Sequence, residues 1–426
     1  MSGDGRAVVD PQYQRLIGKK TGLVNSLYGL QQSRGQPEAS LSQPITASVG
    51  WLAEADGELE LALGGKGQTL ESSYLSAIGE TVERYSLCFP EPDDFVTASY
   101  DELAAREAVI DFEYLDIYSE AIRDERLAPL TRETEISWTA GTHLITGEDI
   151  YVPVQLVWMQ FGPDYHEHPR FLGTSNGAAA GSSLTNALLG SLYELIERDA
   201  FMKMWCRQET PDRVDLSSMP DVRAFVDERI PQEHISVQPV VYDSPLAVTS
   251  VGGALINERD ERPKFILGGN TSVSPAEAVR GAIVESIQGL PFIAEIAMNH
   301  DPSELDPGHA EDNFEENVLY YALPENFDEV AFIVDGDHET CPTDRETSGW
   351  DKRDELDYCL EELDRVGYTP IGFDVTTPDV ARAGPRVTKV IVPELVPITP
   401  PGTLPVNHPA FDGERDELTA KPHPYA

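Results

Sequence analysis

The pattern Glu-x-x-Glu-Arg occurs twice in this chain, 114 residues apart, and each copy follows a glycine-rich loop. The first is Glu80-Thr-Val-Glu83-Arg84, after Gly64-Gly-Lys66-Gly. The second is Glu194-Leu-Ile-Glu197-Arg198, after Ser175-Asn176-Gly-Ala-Ala-Ala-Gly181. At about 100° per residue on a helix, Glu80, Glu83 and Arg84 share one arc, and Tyr74, Ile78, Val82 and Tyr85 lie opposite. Glu194, Glu197 and Arg198 likewise share a face, while Leu188, Leu192, Leu195 and Ile196 cover the other side. Gly190 and Ser191 extend that second carboxylate face and leave room for something bulky to approach. A third helix offers Glu285 and Gln288, again three residues apart. One such helix alone reads as a solvated amphipathic helix, and one Glu–Arg pair stabilises it by only about 0.3 kcal/mol. Repetition of the whole arrangement points instead to a built site.

Carboxylates that face one another cannot all stay ionised without cations. A hard divalent ion such as Mg2+ neutralises them while also taking phosphate oxygens. Glycine-rich loops that open helices present backbone N–H groups to phosphate. Together these features point to a Mg-nucleotide site. The segment GGKGQT lacks the GxxxxGK[ST] spacing, so the loop is not a Walker P-loop.

Composition narrows the partners. The chain has 31 Lys+Arg against 74 Asp+Glu, a formal net charge of −43 over 426 residues. A hydrophobic fraction of 40% is enough for a sizeable core, so high charge does not mean disorder here. No basic stripe exists to release counterions from nucleic acid or an anionic membrane. The acid is spread from end to end, and such a protein repels itself until salt screens it. This fits a haloarchaeal cytosol, with an unusually acidic mesophile as the alternative. Cys88, Cys206, Cys341 and Cys359 are scattered without a CxxC, as expected of thiols in a reducing compartment. The first residues lack an apolar h-region, and no apolar stretch reaches membrane-spanning length, so a cytoplasmic protein is expected.

Strands and helices alternate, which gives an α/β chain. A strand-like piece from Thr46 leads into the first glycine loop and a helix ending before Pro90. Residues 100–135 read as a charged helical insertion. Residues 136–160 give two strands around Thr146-Gly147-Glu148. The loop 173–183 opens a helix to about Trp205. A strand pair over 236–257 and the run FILGGNTSVSP precede a helix over 275–297. Residues 300–330 read as acidic and loop-rich. A strand over 328–335, a helix over 350–366 and strands over 368–375 and 386–393 follow, and the last 30 residues are Pro-rich and irregular.

These motifs resemble the YcaO superfamily, ATP-dependent enzymes that activate peptide backbone amides. The resemblance runs through GGKGQTLESSYLSAIGETVERYS, TGEDIYVPVQLVW, TSNGAAAGSSLTNALLGSLYELIERDAF, SPAEAVRGAIVESIQG and FDVTTPDVARAGPRVTKVIVPELVPI, roughly 65–400. The early tract RLIGKKTGLV also looks like the start of cyclodehydratase-type members. The resemblance implies a YcaO-type α/β fold with mixed sheets and pseudo-repeated ATP-binding helices. It divides the chain into an N-terminal segment 1–45, a catalytic domain 46–400 and a Pro-rich tail 401–426. It further implies that Glu80, Glu83, Glu194, Glu197 and Glu285 hold Mg2+ against the phosphates of ATP. Arg84 and Arg198 would contact phosphate or orient those carboxylates. Ser175, Asn176 and Gln288 look like nucleotide or phosphate contacts, and Lys66 sits in the GKG turn.

Three positions depart from the family pattern. Asn186 stands where a Glu is common, Gly281 where an Arg is common, and Glu394 where a Gly is usual. Arg280 is adjacent to Gly281 but points about 100° away on a helix. Azoline-forming members end in a Pro-x-Pro-x-Pro-like tail that enters the active site. Here Pro422 and Pro424 fit, and Ala426 takes the place of the last Pro. The alternative is a frayed terminus. His423 is a candidate for proton transfer there.

The implied activity is ATP-dependent cyclodehydration. A Cys, Ser or Thr of a substrate peptide adds to the preceding amide carbonyl, the oxyanion takes the γ-phosphoryl group, and loss of phosphate leaves an azoline. The rival is thioamide formation beside a TfuA-like partner, and a non-catalytic nucleotide-binding adaptor is the reading from another class. The implied partners are a substrate peptide or protein, a leader-binding or TfuA-like protein, and a second copy in a homodimer.

Overall fold

The computed structural model describes residues 9–30, 37–50, 61, 64–67, 69–90, 95–159, 167–259, 261–299, 314–342, 347–400 and 402–425. Within them the chain folds as mixed α/β around three sheets. A three-stranded antiparallel sheet joins Val24–Leu30, Ser40–Thr46 and the short strand Gly65–Gly67. A five-stranded sheet runs in the order Phe265–Ser272, Thr249–Asn257, Ile235–Val241, Asp212–Val214 and Glu339–Thr340, with the last pairing parallel. The third sheet orders Val96–Ala98, Ile136–His143, Ile371–Asp374, Arg386–Ile391 and Ala178–Gly181, and Asp149–Pro153 pairs beside Ile136–His143. Its edge strand, Ala178–Gly181, is antiparallel to Arg386–Ile391.

Three helices carry the carboxylate motifs. Leu70–Ser86 starts at a reciprocal cap, in which the Thr69 hydroxyl accepts from Ser72 N and the Ser72 hydroxyl accepts from Thr69 N. Leu184–Arg207 starts at Ser183, whose hydroxyl accepts from Asn186 N, and ends at Gln208 in the left-handed region. Pro275–Asn299 lies across the strands Thr249–Asn257 and Phe265–Ser272. The middle helix is buried along much of its circumference because it packs on the third sheet, on the five-stranded sheet and on the helix Lys352–Val366. Leu192, Phe201 and Trp205 are fully buried along it. Phe201→Ala would cost about 3–5 kcal/mol, the usual penalty for emptying an aromatic site in a core.

Several elements differ from the sequence reading. Residues 328–335 form single turns, Pro324–Glu329 and Ala331–Ile333, not a strand. Val330 and Ile333 are buried three residues apart, the period of a 3-10 turn. The stretch 100–135 is helical only at Tyr100–Ala104, Phe112–Leu115 and Glu120–Arg126. Between them the Ala108 carbonyl and the Ile110 amide bond the backbone of Tyr151, which ties that segment to a strand. The loop 173–183 contains the strand Ala178–Gly181, made of residues with little strand preference of their own. The strand-like piece after Thr46 falls mostly outside the described residues, as does much of the acidic stretch 300–330. No helix among the described residues is long and apolar enough to cross a membrane.

Candidate nucleotide and metal site

The edge strand Ala178–Gly181 is thin enough to be clasped from both faces. A Cβ on Gly79 would stand 3.8 Å from the Ala180 methyl, and one on Gly190 would stand 3.0 Å from the Ala179 methyl. Ser191 is fully buried, and its hydroxyl shares a hydrogen bond with Thr388 at 2.9 Å. Gly190 and Ser191 therefore admit the sheet rather than a ligand, which corrects the sequence reading. The clasp brings the carboxylate faces of the two helices together beside the sheet edge. The strand Gly65–Gly67 and the helix Pro275–Asn299 close another side.

The two helices repeat one fork. Arg84 stands 3.9 Å from both Glu80 and Glu83, and Arg198 stands 3.9 Å from both Glu194 and Glu197. A closed Arg–carboxylate hydrogen bond runs at about 2.7–2.9 Å, so neither fork is closed. The Nε atoms of Arg84 and Arg198 and the Oδ1 atom of Asn176 are buried without a hydrogen-bond partner. Burial pushes the Glu83 carboxyl well above the usual range, and the facing Glu194 pushes it further. Burial also raises Glu194, against the pull of Arg198. Glu197 rises to about 7 through burial, opposed by Arg198 and reinforced by Glu285 and Glu194. Glu285 is ion-paired with Lys66. Gln288 Nε2 lies 3.8 Å from where a Cβ on Gly64 would stand, so it faces the first glycine loop. The fold thus gathers residues from three helices and a loop into one mixed-sign cleft.

The second glycine loop is fixed from the opposite end of the chain. Gly177 has φ +76°, and its carbonyl accepts from Val390 N at 2.8 Å. A Cβ there would also strike the Val390 carbonyl, so only glycine fits. Lys389 donates to the carbonyls of Thr174 at 2.9 Å and Asn176 at 2.5 Å. Its side chain is buried, and burial draws the ammonium down to about 8 against the support of Glu194 and Glu83. The sequence reading missed Lys389. The available signal was a rare lysine inside a strand of β-branched residues, Arg386–Ile391.

The departures have local explanations. Asn186 donates to the Ser182 hydroxyl at 2.8 Å. The place of a side chain at 281 is filled by the Asn270 amide, and Arg280 turns to Glu277 at 2.7 Å. Glu394 accepts from the amide and the hydroxyl of Thr369. The alternative of a frayed tail does not hold for the described residues: Pro422, His423, Pro424 and Tyr425 are all buried. Tyr425 stacks on Phe201 with ring centroids 3.7 Å apart, and its hydroxyl meets that of Tyr242 at 3.1 Å. A Cβ on Gly269 would collide with the Tyr425 hydroxyl and with Glu197 Oε1, so the tail ends beside the cleft. The Pro422 carbonyl accepts from Tyr321 at 2.7 Å. His423 donates from Nε2 to Thr399 O, and burial lowers it to about 4, so its ring is neutral at pH 7. Ala426 lies outside the described residues.

Among the described residues, no three Asp, Glu, His or Cys side chains stand close enough to cage a metal alone. That suits Mg2+, which keeps waters and binds through one or two carboxylates plus substrate phosphates. The unpartnered Arg84, Arg198 and Asn176 atoms supply what phosphates and a nucleotide need. The donor set therefore fits ATP with Mg2+.

Comparison with known proteins agrees. Residues 64–396 match the family described as "YcaO cyclodehydratase, ATP-ad Mg2+-binding". The match spans most of the chain, which belongs to the YcaO family, whose cofactors are ATP and Mg2+. A heterocyclase solved in complex with substrate and cofactor has a TM-score of 0.77 at 20% identity, covering 99% of this chain and 57% of that one. YcaO from Methanopyrus kandleri, solved with AMPPCP and Mg2+, has a TM-score of 0.61 at 19% identity, covering 87% and 86%. At these identities the likeness establishes the fold alone. An uncharacterised protein of Methanothermobacter thermautotrophicus is 26% identical over 247 residues, 58% of this chain and 61% of its own length. A Rhizobium leguminosarum bv. trifolii protein, named for the tfuA 3′ region, is 27% identical over 237 residues, 53% of each chain. The chain thus spans about half to three-fifths of the length of these curated relatives.

Proposed function

We propose that this protein uses ATP and Mg2+ to activate backbone amides of a peptide, and that the product is an azoline formed from Cys, Ser or Thr. The observation that carries this reading is the open pair of Glu–Arg forks, whose buried Arg Nε atoms await an acceptor. Glu80, Glu83, Glu194, Glu197 and Glu285 would hold the metal. Arg84, Arg198, Lys66, Ser175, Asn176 and Gln288 would bind and orient the nucleotide. Bound ATP would supply the phosphoryl group that turns the amide oxygen into a leaving group. The chain's share is electrostatic, since cations fixed in a cleft stabilise charge that develops on phosphate. No nucleophile of its own is required, because the substrate side chain attacks.

The tail supports the azoline product, since the Tyr425 hydroxyl lies beside Glu197. Pro422, Pro424 and Ala426 would place the chain end at the reacting amide. A cleft of about 880 Å3 opens along the C-terminal half of the helix Leu184–Arg207, and Tyr242, which bonds Tyr425, lines it. That cleft offers room for a short peptide. A second reading, thioamide formation with a TfuA-like partner, draws on the relative named for the tfuA 3′ region. The setting we infer is a salt-rich cytoplasm, with a partner protein or a second copy assisting delivery.

The test incubates the protein with a candidate peptide, ATP and Mg2+. Loss of one water per residue, with phosphate release, is the expected result. Exchange of oxygen for sulfur in the presence of a sulfide donor would instead support the second reading. Removing Pro422–Ala426 should abolish cyclisation while ATP binding persists, and unchanged cyclisation would exclude the tail.

A further inference from the structure

We propose that Lys389 is a positioning residue of the nucleotide site, an internal cation that joins the Thr174–Asn176 turn to the carboxylates of both helices. It does so whether or not Mg2+ is bound. The inference rests on the nucleotide-site reading above and extends it to a residue on a different element.

Four observations carry it. Lys389 is 2% exposed, and a buried ammonium is costly unless it is hydrogen-bonded and charge-compensated. Two of its donors go to main-chain carbonyls of the loop that presents Ser175 and Asn176. Its charge acts on Glu194 of one helix and on Glu83 of the other. Its strand is registered on the clasped edge strand, with Lys389 opposite Ala178. Lys389 is therefore bonded to the loop and stands on a strand packed against both helices, whose carboxylates it reaches through its charge and not through a direct ion pair.

The geometry explains why a lysine stands here. Arg84 and Arg198 approach the carboxylates from the helices and keep unpartnered Nε atoms. They are available to a ligand. Lys389 is spent on the protein itself. It offsets the repulsion between Glu83 and Glu194 and leaves the arginines to the nucleotide. Alternation along the strand puts Lys389 on the face of Val387, which packs in the same core as Tyr74, Ile78 and Val82 of the first helix. Thr388, on the other face, bonds Ser191 of the second helix.

The experiment compares wild type, Lys389→Met, Glu83→Gln and the double variant by calorimetric titration with ATP and Mg2+, and by thermal melts with and without Mg2+. Lys389→Met should weaken ATP binding by about 10-fold or more, the usual cost of losing a residue that orients metal ligands. Its melting temperature without Mg2+ should fall, and adding Glu83→Gln should recover much of that fall. Wild-type ATP affinity in Lys389→Met would overturn the proposal. So would a melting loss that Glu83→Gln leaves unchanged. If Lys389→Met alone does not fold, folded double variant supports the proposal, and unfolded double variant beside folded Glu83→Gln overturns it. If wild type itself binds no ATP, the nucleotide reading fails, while the melting comparison still decides the role of Lys389.

Discussion

Two regions of this molecule pair acidic residues with arginine at helical spacing, and they are in opposite physical states. On Lys352–Val366, Arg353 meets Asp357 at 2.8 Å with 67% of the arginine exposed, and Arg365 meets Glu362 at 2.7 Å. On the two Glu-x-x-Glu-Arg helices all four Arg–Glu distances are 3.9 Å, and Arg198 is only 19% exposed. The surface-helix partners close on each other with no like charge from another described element pressing on them, and exposed pairs of this kind contribute little. The interior partners are pulled by groups on other elements: Glu83 faces Glu194, and Glu197 faces Glu285. Spacing therefore does not mark the site. The mark is that the interior pairs fail to close.

The largest expected effect breaks the interior side of this comparison. Glu197→Gln should lower ATP-dependent phosphate release by about 100-fold or more, on the scale of losing a main electrostatic contact. The same variant should be more stable than wild type without nucleotide at pH 8. Burial lifts Glu197 from 4.5 to about 7, so the folded chain keeps a proton that the unfolded chain has lost between those values. Its contribution to stability falls as pH rises through that window, and Gln removes the fall, worth about 1–3 kcal/mol. Melts at pH 5 and pH 8 measure it, and normal turnover with lower stability would refute the assignment.

The next effect sharpens the comparison at the tail. His423 binds its proton at 6.5 when unfolded and only at about 4 when folded. The unfolded chain gains the proton first as pH drops, so stability is lost between about 6.5 and 4, by up to about 3 kcal/mol. His423→Gln should flatten that loss, and an identical acid slope in both proteins would show that His423 is not its source. The smallest effect lies on the surface helix. Arg353→Ala should leave the denaturant midpoint almost unchanged. A midpoint drop as large as that of a core substitution, read by denaturant melts, would erase the distinction between the two regions.

Much of this was legible in the sequence where local pattern decides. Periodicity located Leu70–Ser86, Leu184–Arg207 and Pro275–Asn299, repetition singled out Glu80, Glu83, Glu194 and Glu197, and the spacing to Gln288 added Glu285. What stayed hidden depends on contacts between distant segments. The strand Ala178–Gly181 exists because Arg386–Ile391 pairs with it, not because alanine prefers a strand. Gly190 looked like room for a ligand until the sheet filled it. Lys389 was passed over: its β-branched neighbours hint at a buried strand, but the carboxylates it serves lie on helices far away in the chain. Residues 328–335 misled because a short apolar run fits a strand and a 3-10 turn equally well.

The bond between Lys389 and Asn176 spans 213 positions, and the one between Val396 and Asp199 spans 197. During translation every carboxylate of the cluster leaves the ribosome long before its last cation does. A chain cut off before residue 386 holds all five carboxylates, but it lacks Lys389 and the strand that orders the second glycine loop. Such a fragment lacks the contacts that fix the second glycine loop in the whole chain. Closing contacts of this sequence separation is slow, and ATP competence should therefore be among the last properties this protein acquires as it folds.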